Sequence, residues 1–210
     1  MVTATETGNQ LSQREVLRLF VAVTVPPQVQ ESLERAQATL RSALPSDLAK
    51  WTKREQFHLT LRFLGKVDAG RVPELETNVR EACYSFKPMT LQATGIGFFP
   101  EKRLPRVMWA GLRDRTNQIS NLHQAVQAAT DTFTSEAAQD DFSAHITLAR
   151  IKDIQRHEAE RLKKAAAGYR EVILGEWRAE ALELMRSQLS SAGAQHSVVA
   201  RFLLGGERIG

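Results

Sequence analysis

The sequence predicts an α+β fold that is bilobal: two lobes of antiparallel sheet with flanking helices, related by a pseudo-twofold axis around a central cleft. Three observations predict it. Strand-like and helix-like stretches alternate as strand, helix, strand, helix, and the same series returns after a hairpin in the middle of the chain. The second strand of each series carries a matching tetrad, His58-Leu59-Thr60-Leu61 and His145-Ile146-Thr147-Leu148, 87 positions apart. The length of 210 residues, 42% hydrophobic and 25% charged, is enough to bury one sizeable core and too short to demand separate domains. A polar tail is expected over residues 1–16, and a single bilobal domain over 17–210.

The elements follow in order. Residues 18–25 are rich in β-branched side chains and stop at Pro26-Pro27, so they form a strand. Val29, Leu33, Ala36 and Leu40 recur at helical spacing within 29–44, with Pro27 suited to an early helical position. The motif strand 57–64 ends at Gly65, and a second helix over 72–85 places Val72, Leu75, Val79 and Cys83 on one stripe. Strands at 89–99 and 106–112, joined by the turn-rich 100–105, make a hairpin, with Gly95-Ile96-Gly97 read as a strand-end turn. A third helix (119–133), the second motif strand (142–150) and a fourth helix (154–167) follow. Strands over 171–187 and 198–204 finish the chain, with Gly193 in their connection.

Composition bounds the function. A net charge of +4 permits an anionic ligand without demanding one. Cys83 stands alone, so neither an intramolecular disulfide nor a cysteine zinc site is expected. No apolar run approaches the eighteen or so residues of a membrane span, and the first sixteen residues do not read as a secretory signal, so the expected home is the cytoplasm. A monomer is expected. No Gly-x-x-x-x-Gly-Lys, Gly-x-Gly-x-x-Gly or His-Glu-x-x-His occurs, so nucleoside triphosphate, dinucleotide and metal cofactors are not expected.

The tetrads carry the chemistry. Five histidines should yield roughly 0.04 His-x-Thr-Leu sequences by chance, and the chain has two. Residues i and i+2 of a strand share a face, so His58 with Thr60, and His145 with Thr147, present an imidazole beside a hydroxyl, while Leu59, Leu61 and Phe63 enter the core. If the pseudo-twofold axis brings the two faces together, four polar side chains surround one small anion. A phosphodiester suits them: one imidazole acts as general base, the other as general acid, and the hydroxyls donate to non-bridging oxygens. His123, His157 and His196 lack a threonine partner and are read as surface or structural residues.

The chain resembles the 2H phosphoesterases, and within them the RNA 2′,3′-cyclic phosphodiesterase group known as LigT or ThpR. The matching stretches are 18–22, 57–65, Gly97-Phe98-Phe99-Pro100, 105–111 and His145-Ile146-Thr147-Leu148-Ala149-Arg150. Ala144 stands where the group usually has proline, and His196 lies near a common tyrosine position. The resemblance implies metal-free opening of a terminal 2′,3′-cyclic phosphate on RNA to a 2′-phosphomonoester. His58 would be the proton donor to the leaving 3′-oxygen and His145 the proton acceptor that activates water, with Thr60 and Thr147 on the phosphate. Related members join or cleave 2′-5′ linkages in tRNA halves; a small cyclic nucleotide is the alternative substrate for the same site, and a non-catalytic RNA-end binding module is the alternative from another class. Phe20, Arg62 and Arg150 are candidate RNA contacts. Arg62 shares the face of His58 by strand alternation, Arg150 needs a bulge or strand end to reach the cleft, and Phe20 has packing under a helix as its plainer role.

Overall fold

A computed structural model describes residues 15–137, 141–190 and 193–206; most of the expected polar tail, residues 1–14, lies outside them. The strands are β1 (Val16–Thr24), β2 (Ala49–Trp51), β3 (His58–Asp68), β4 (Met89–Phe99), β5 (Val107–Asp114), β6 (His145–Ile151), β7 (Ile173–Ala179), β8 (Ala181–Ser190) and β9 (Gly193–Leu203). The helices are α1 (Pro27–Arg41), α2 (Val72–Tyr84), α3 (Gln118–Thr130) and α4 (Arg156–Ala167). The series β1-α1-β3-α2 returns as β5-α3-β6-α4, as the doubled pattern requires.

The lobes are halves of one antiparallel sheet. Its strands run β7-β4-β5-β6-β3-β1-β8-β9, and β2 pairs with β6 off this path. The two motif strands meet at the centre, where Leu59 pairs with Ile146. The stretch expected as one strand over 171–187 divides at Glu180: β7 lies on one edge and β8 pairs with β1 near the other. The sheet must therefore curl until its ends approach, and the Leu204 amide donates to the Glu180 carbonyl at 2.9 Å at that corner. The elements differ from expectation in further ways: the three-residue β2 is an addition, Gly193 begins β9 instead of lying in the connection before it, and Gly95 and Gly97 lie inside β4. Gly95 takes φ +69° at a bulge, and any Cβ on Gly97 would overlap the Trp109 ring.

The helices pack their apolar stripes on the sheet face opposite the cleft residues and complete the core there. In α1 the predicted stripe of Val29, Leu33, Ala36 and Leu40 is buried, each larger side chain gaining roughly 1.5–3 kcal/mol from burial. Gln37 is buried among them, its amide donating to the Leu148 carbonyl at 2.7 Å and the Thr52 carbonyl at 2.9 Å, which ties the helix to the second tetrad. In α2 the stripe Val72, Leu75, Val79 and Cys83 is likewise buried. Helix α4 begins at Arg156, two residues later than expected, because a reciprocal cap between Gln155 and Glu158 fixes its start. Among the described residues no helix is long and apolar enough to cross a membrane.

Candidate active site

Each tetrad histidine is fixed by the residue two positions before it. His58 Nδ1 lies 2.7 Å from the Gln56 carbonyl, and His145 Nδ1 lies 2.7 Å from the Ser143 carbonyl. A carbonyl only accepts, so Nδ1 carries the proton in both rings and Nε2 is the atom left for chemistry. Both histidines line one cleft of about 800 Å³, together with Thr60 and Thr147. The expected four-membered polar group is therefore assembled in one place.

Aromatic rings surround each imidazole in related ways. Phe20 lies 5.0 Å from the His58 ring, and the His196 ring meets His58 edge-on at 5.3 Å. On the other half Phe99 meets His145 edge-on at 5.1 Å and Trp109 lies 6.4 Å away. Burial holds the His58 pKa well below its ordinary value, at about 4, with the Gln56 carbonyl opposing and the nearby His196 and His145 adding to the fall. His196 is also shifted down, by burial. His58 is therefore neutral at physiological pH.

Strand irregularities decide which neighbours reach the cleft. Along β3 the register against β1 skips Leu61, and along β6 the register against β5 skips Leu148. Both bulges fall on the leucine of a tetrad and invert the alternation beyond it. The inversion carries Arg150 to the exposed cleft side, as a bulge was expected to do. It corrects the reading of β3 in part: Phe63 does not enter the core but lines the cleft at 48% exposure, while Arg62 lines the cleft as expected but is only 3% exposed. The Arg62 guanidinium donates to the Ala137 carbonyl at 2.9 Å, the Glu136 carbonyl at 3.1 Å and Asp131 Oδ1 at 3.1 Å. It thus braces the segment that forms one wall. Phe20 is 2% exposed, but it packs against His58, Phe63 and His196 on the cleft side rather than under a helix.

Of the cleft residues outside the expected set, three bear on the site's shape and charge. His196, expected at the surface or in a structural place, is delivered by the β8–β9 hairpin, in which it stands opposite Ser187. Gln56 donates its side-chain amide to the Ala194 carbonyl, latching that hairpin to the turn that also orients His58. Lys50 enters on β2. Only the period-two alternation around His196 was available as a signal, and the hairpin register was not. His123 is structural, buried and stacked on Phe142 at 4.0 Å, and His157 is exposed on α4. Among the described residues no three His, Cys, Asp or Glu side chains are grouped so as to hold a metal ion.

Comparison with known proteins fits this geometry. The family described as LigT like Phosphoesterase matches residues 23–109 and 112–194, one tetrad in each stretch. An RNA 2′,3′-cyclic phosphodiesterase of Aquifex aeolicus is 29% identical over 194 residues, spanning 91% of this chain and 100% of that protein. One from Thermus thermophilus is 30% identical over 197 residues, spanning 91% and 92%. The crystal structure of a Thermus thermophilus protein superposes with a TM-score of 0.74 at 28% identity, over 91% of this chain and 100% of that one. The crystal structure of E. coli LigT complexed with 3′-AMP shares the fold at a TM-score of 0.72 and 20% identity, over the same shares of the two chains. With a match that runs through both halves and both tetrads, the chain belongs to the LigT-like phosphoesterase family.

Proposed function

We propose that this protein hydrolyses terminal 2′,3′-cyclic phosphates on RNA to 2′-phosphomonoesters, with His58 and His145 as its acid and base and no metal ion. The observation that carries the reading is the twin Nδ1–H···O=C arrangement, which leaves two Nε2 atoms facing one cleft beside two threonine hydroxyls. It is supported by the activity named for the curated relatives. His145 Nε2 takes a proton from water as the water oxygen bonds to phosphorus. The phosphorus–O3′ bond breaks and His58 Nε2 gives its proton to the departing oxygen. Thr60 and Thr147 donate hydrogen bonds to the non-bridging oxygens. The next cycle begins when His145 loses its proton and His58 regains one.

A donor must be protonated, yet burial holds His58 neutral at physiological pH. The substrate supplies the difference. A phosphodiester anion about 4 Å from the ring, at an effective dielectric constant near 20, favours the imidazolium by about 4 kcal/mol, or roughly three pKa units. Binding therefore lifts His58 from about 4 toward neutrality and charges the acid only when there is a bond to break. The test is an oligonucleotide ending in a 2′,3′-cyclic phosphate. The expected product carries the phosphate on the 2′-oxygen; intact substrate or a 3′-phosphate product would overturn the proposal.

A further inference from the structure

β2 is the shortest strand in the sheet and sets an unfavourable pair: Lys50 stands directly opposite Arg150 in the β2–β6 register. Like charges placed opposite one another across two strands destabilise a sheet. Both side chains are exposed, both line the cleft, and neither makes an ion pair with a described residue. Among the described lining residues Glu136 is the only carboxylate, and it lies on the wall braced by Arg62. Two uncompensated cations side by side on a cleft wall form a site for an anion.

Position identifies which anion. Arg150 is three residues beyond Thr147, roughly 10 Å along the strand. A phosphate held between the tetrads by Thr60 and Thr147 leaves this pair unoccupied. The cleft, at about 800 Å³, lies toward the large end of the range for ligand sites, and so has room beyond a terminal nucleotide. We infer that Lys50 and Arg150 form a subsite for an internal phosphodiester of the same RNA strand whose cyclic end lies at the histidines. The subsite rests on the proposed RNA-end activity and narrows its substrate: the enzyme prefers an oligonucleotide over a cyclic mononucleotide.

Three substrates separate the two ideas: a nucleoside 2′,3′-cyclic monophosphate, a trinucleotide ending in the same cyclic phosphate, and that trinucleotide with neutral methylphosphonates at its internal linkages. The charged trinucleotide is expected to exceed the neutral one in kcat/KM by about fivefold at moderate salt, the scale of one exposed ion contact. Its log–log salt slope should be steeper by about 0.7 for each phosphate held. Lys50→Ala shrinks the ratio between the two trinucleotides, and Lys50→Arg keeps it. Hydrolysis of both trinucleotides with equal kcat/KM and equal salt slopes would overturn the subsite alone, as would Lys50→Ala lowering all three substrates in proportion. Hydrolysis of none by the wild-type protein would overturn the RNA-end activity and the subsite with it.

Discussion

Leu59 pairs with Ile146 across the β3–β6 ladder, each the residue directly after a tetrad histidine and each essentially inaccessible to solvent. Because both turn into the core, the residues flanking them turn to the other face. The antiparallel sense sets His58 beside Thr147 and Thr60 beside His145. One apolar pair thus positions all four polar groups, two from each half of the chain.

Replacing either imidazole removes a proton carrier. His58→Ala and His145→Ala are each expected to lower kcat by about a hundredfold or more, with a smaller change in substrate binding. Thr60→Ala and Thr147→Ala each delete one hydrogen bond to a charged group and should cost about 1.5–3 kcal/mol in kcat/KM. Steady-state kinetics on a cyclic-phosphate oligonucleotide checks both, and near wild-type turnover in a histidine variant would remove that residue from the mechanism.

Acid–base catalysis needs no Lewis acid. Turnover should be unchanged after dialysis against excess chelator. Activity lost in chelator and restored by zinc or manganese would contradict this.

The Gln56 latch holds the β8–β9 hairpin over His58. Gln56→Ala should release the hairpin, admit water to the ring and raise the His58 midpoint from about 4 toward 6.5 in an NMR titration. Turnover should fall by at least about tenfold as the cleft loses its shape. An unmoved titration would mean that the latch does not shape the environment of His58.

The depressed His58 pKa is also a stability statement. The folded state binds this proton only near pH 4 and the unfolded state near 6.5, so between those values the unfolded chain holds more protons. Stability is therefore full above pH 6.5 and is lost as pH falls toward 4. Burial of His123 and His196 acts in the same direction. Thermal unfolding of His58→Gln should vary less with pH across this window than that of wild type. Equal pH dependence in the two proteins would assign the loss to other groups.

Much of this was legible in the sequence because it follows from local periodicity. The stripes of α1 and α2, each strand of the central hairpin and the tetrad faces are all patterns within a dozen residues. What the sequence hid was registry. The alternation rule put Phe63 in the core, and a one-residue bulge at Leu61 turned it to the cleft and left Arg62 there almost without exposure. Nothing in composition marks Glu180 as the point where one run of strand divides between opposite edges of a curled sheet. His196 reaches the site only because of that division, since β8 and β9 are placed beside β1 by it.

The most direct test of the two-histidine mechanism is leaving-group rescue. In a cyclic substrate with sulfur in place of the 3′-bridging oxygen, the thiolate departs with little need of a proton. His58→Ala should regain most of its lost turnover on this substrate and His145→Ala should not. For wild type on the oxygen substrate, kcat/KM should carry a limb near pH 4 that moves upward in kcat, as the bound anion raises His58. Rescue of His145→Ala instead would reverse the two roles. Rescue of neither variant, with a flat pH profile in wild type, would contradict acid–base catalysis by the pair.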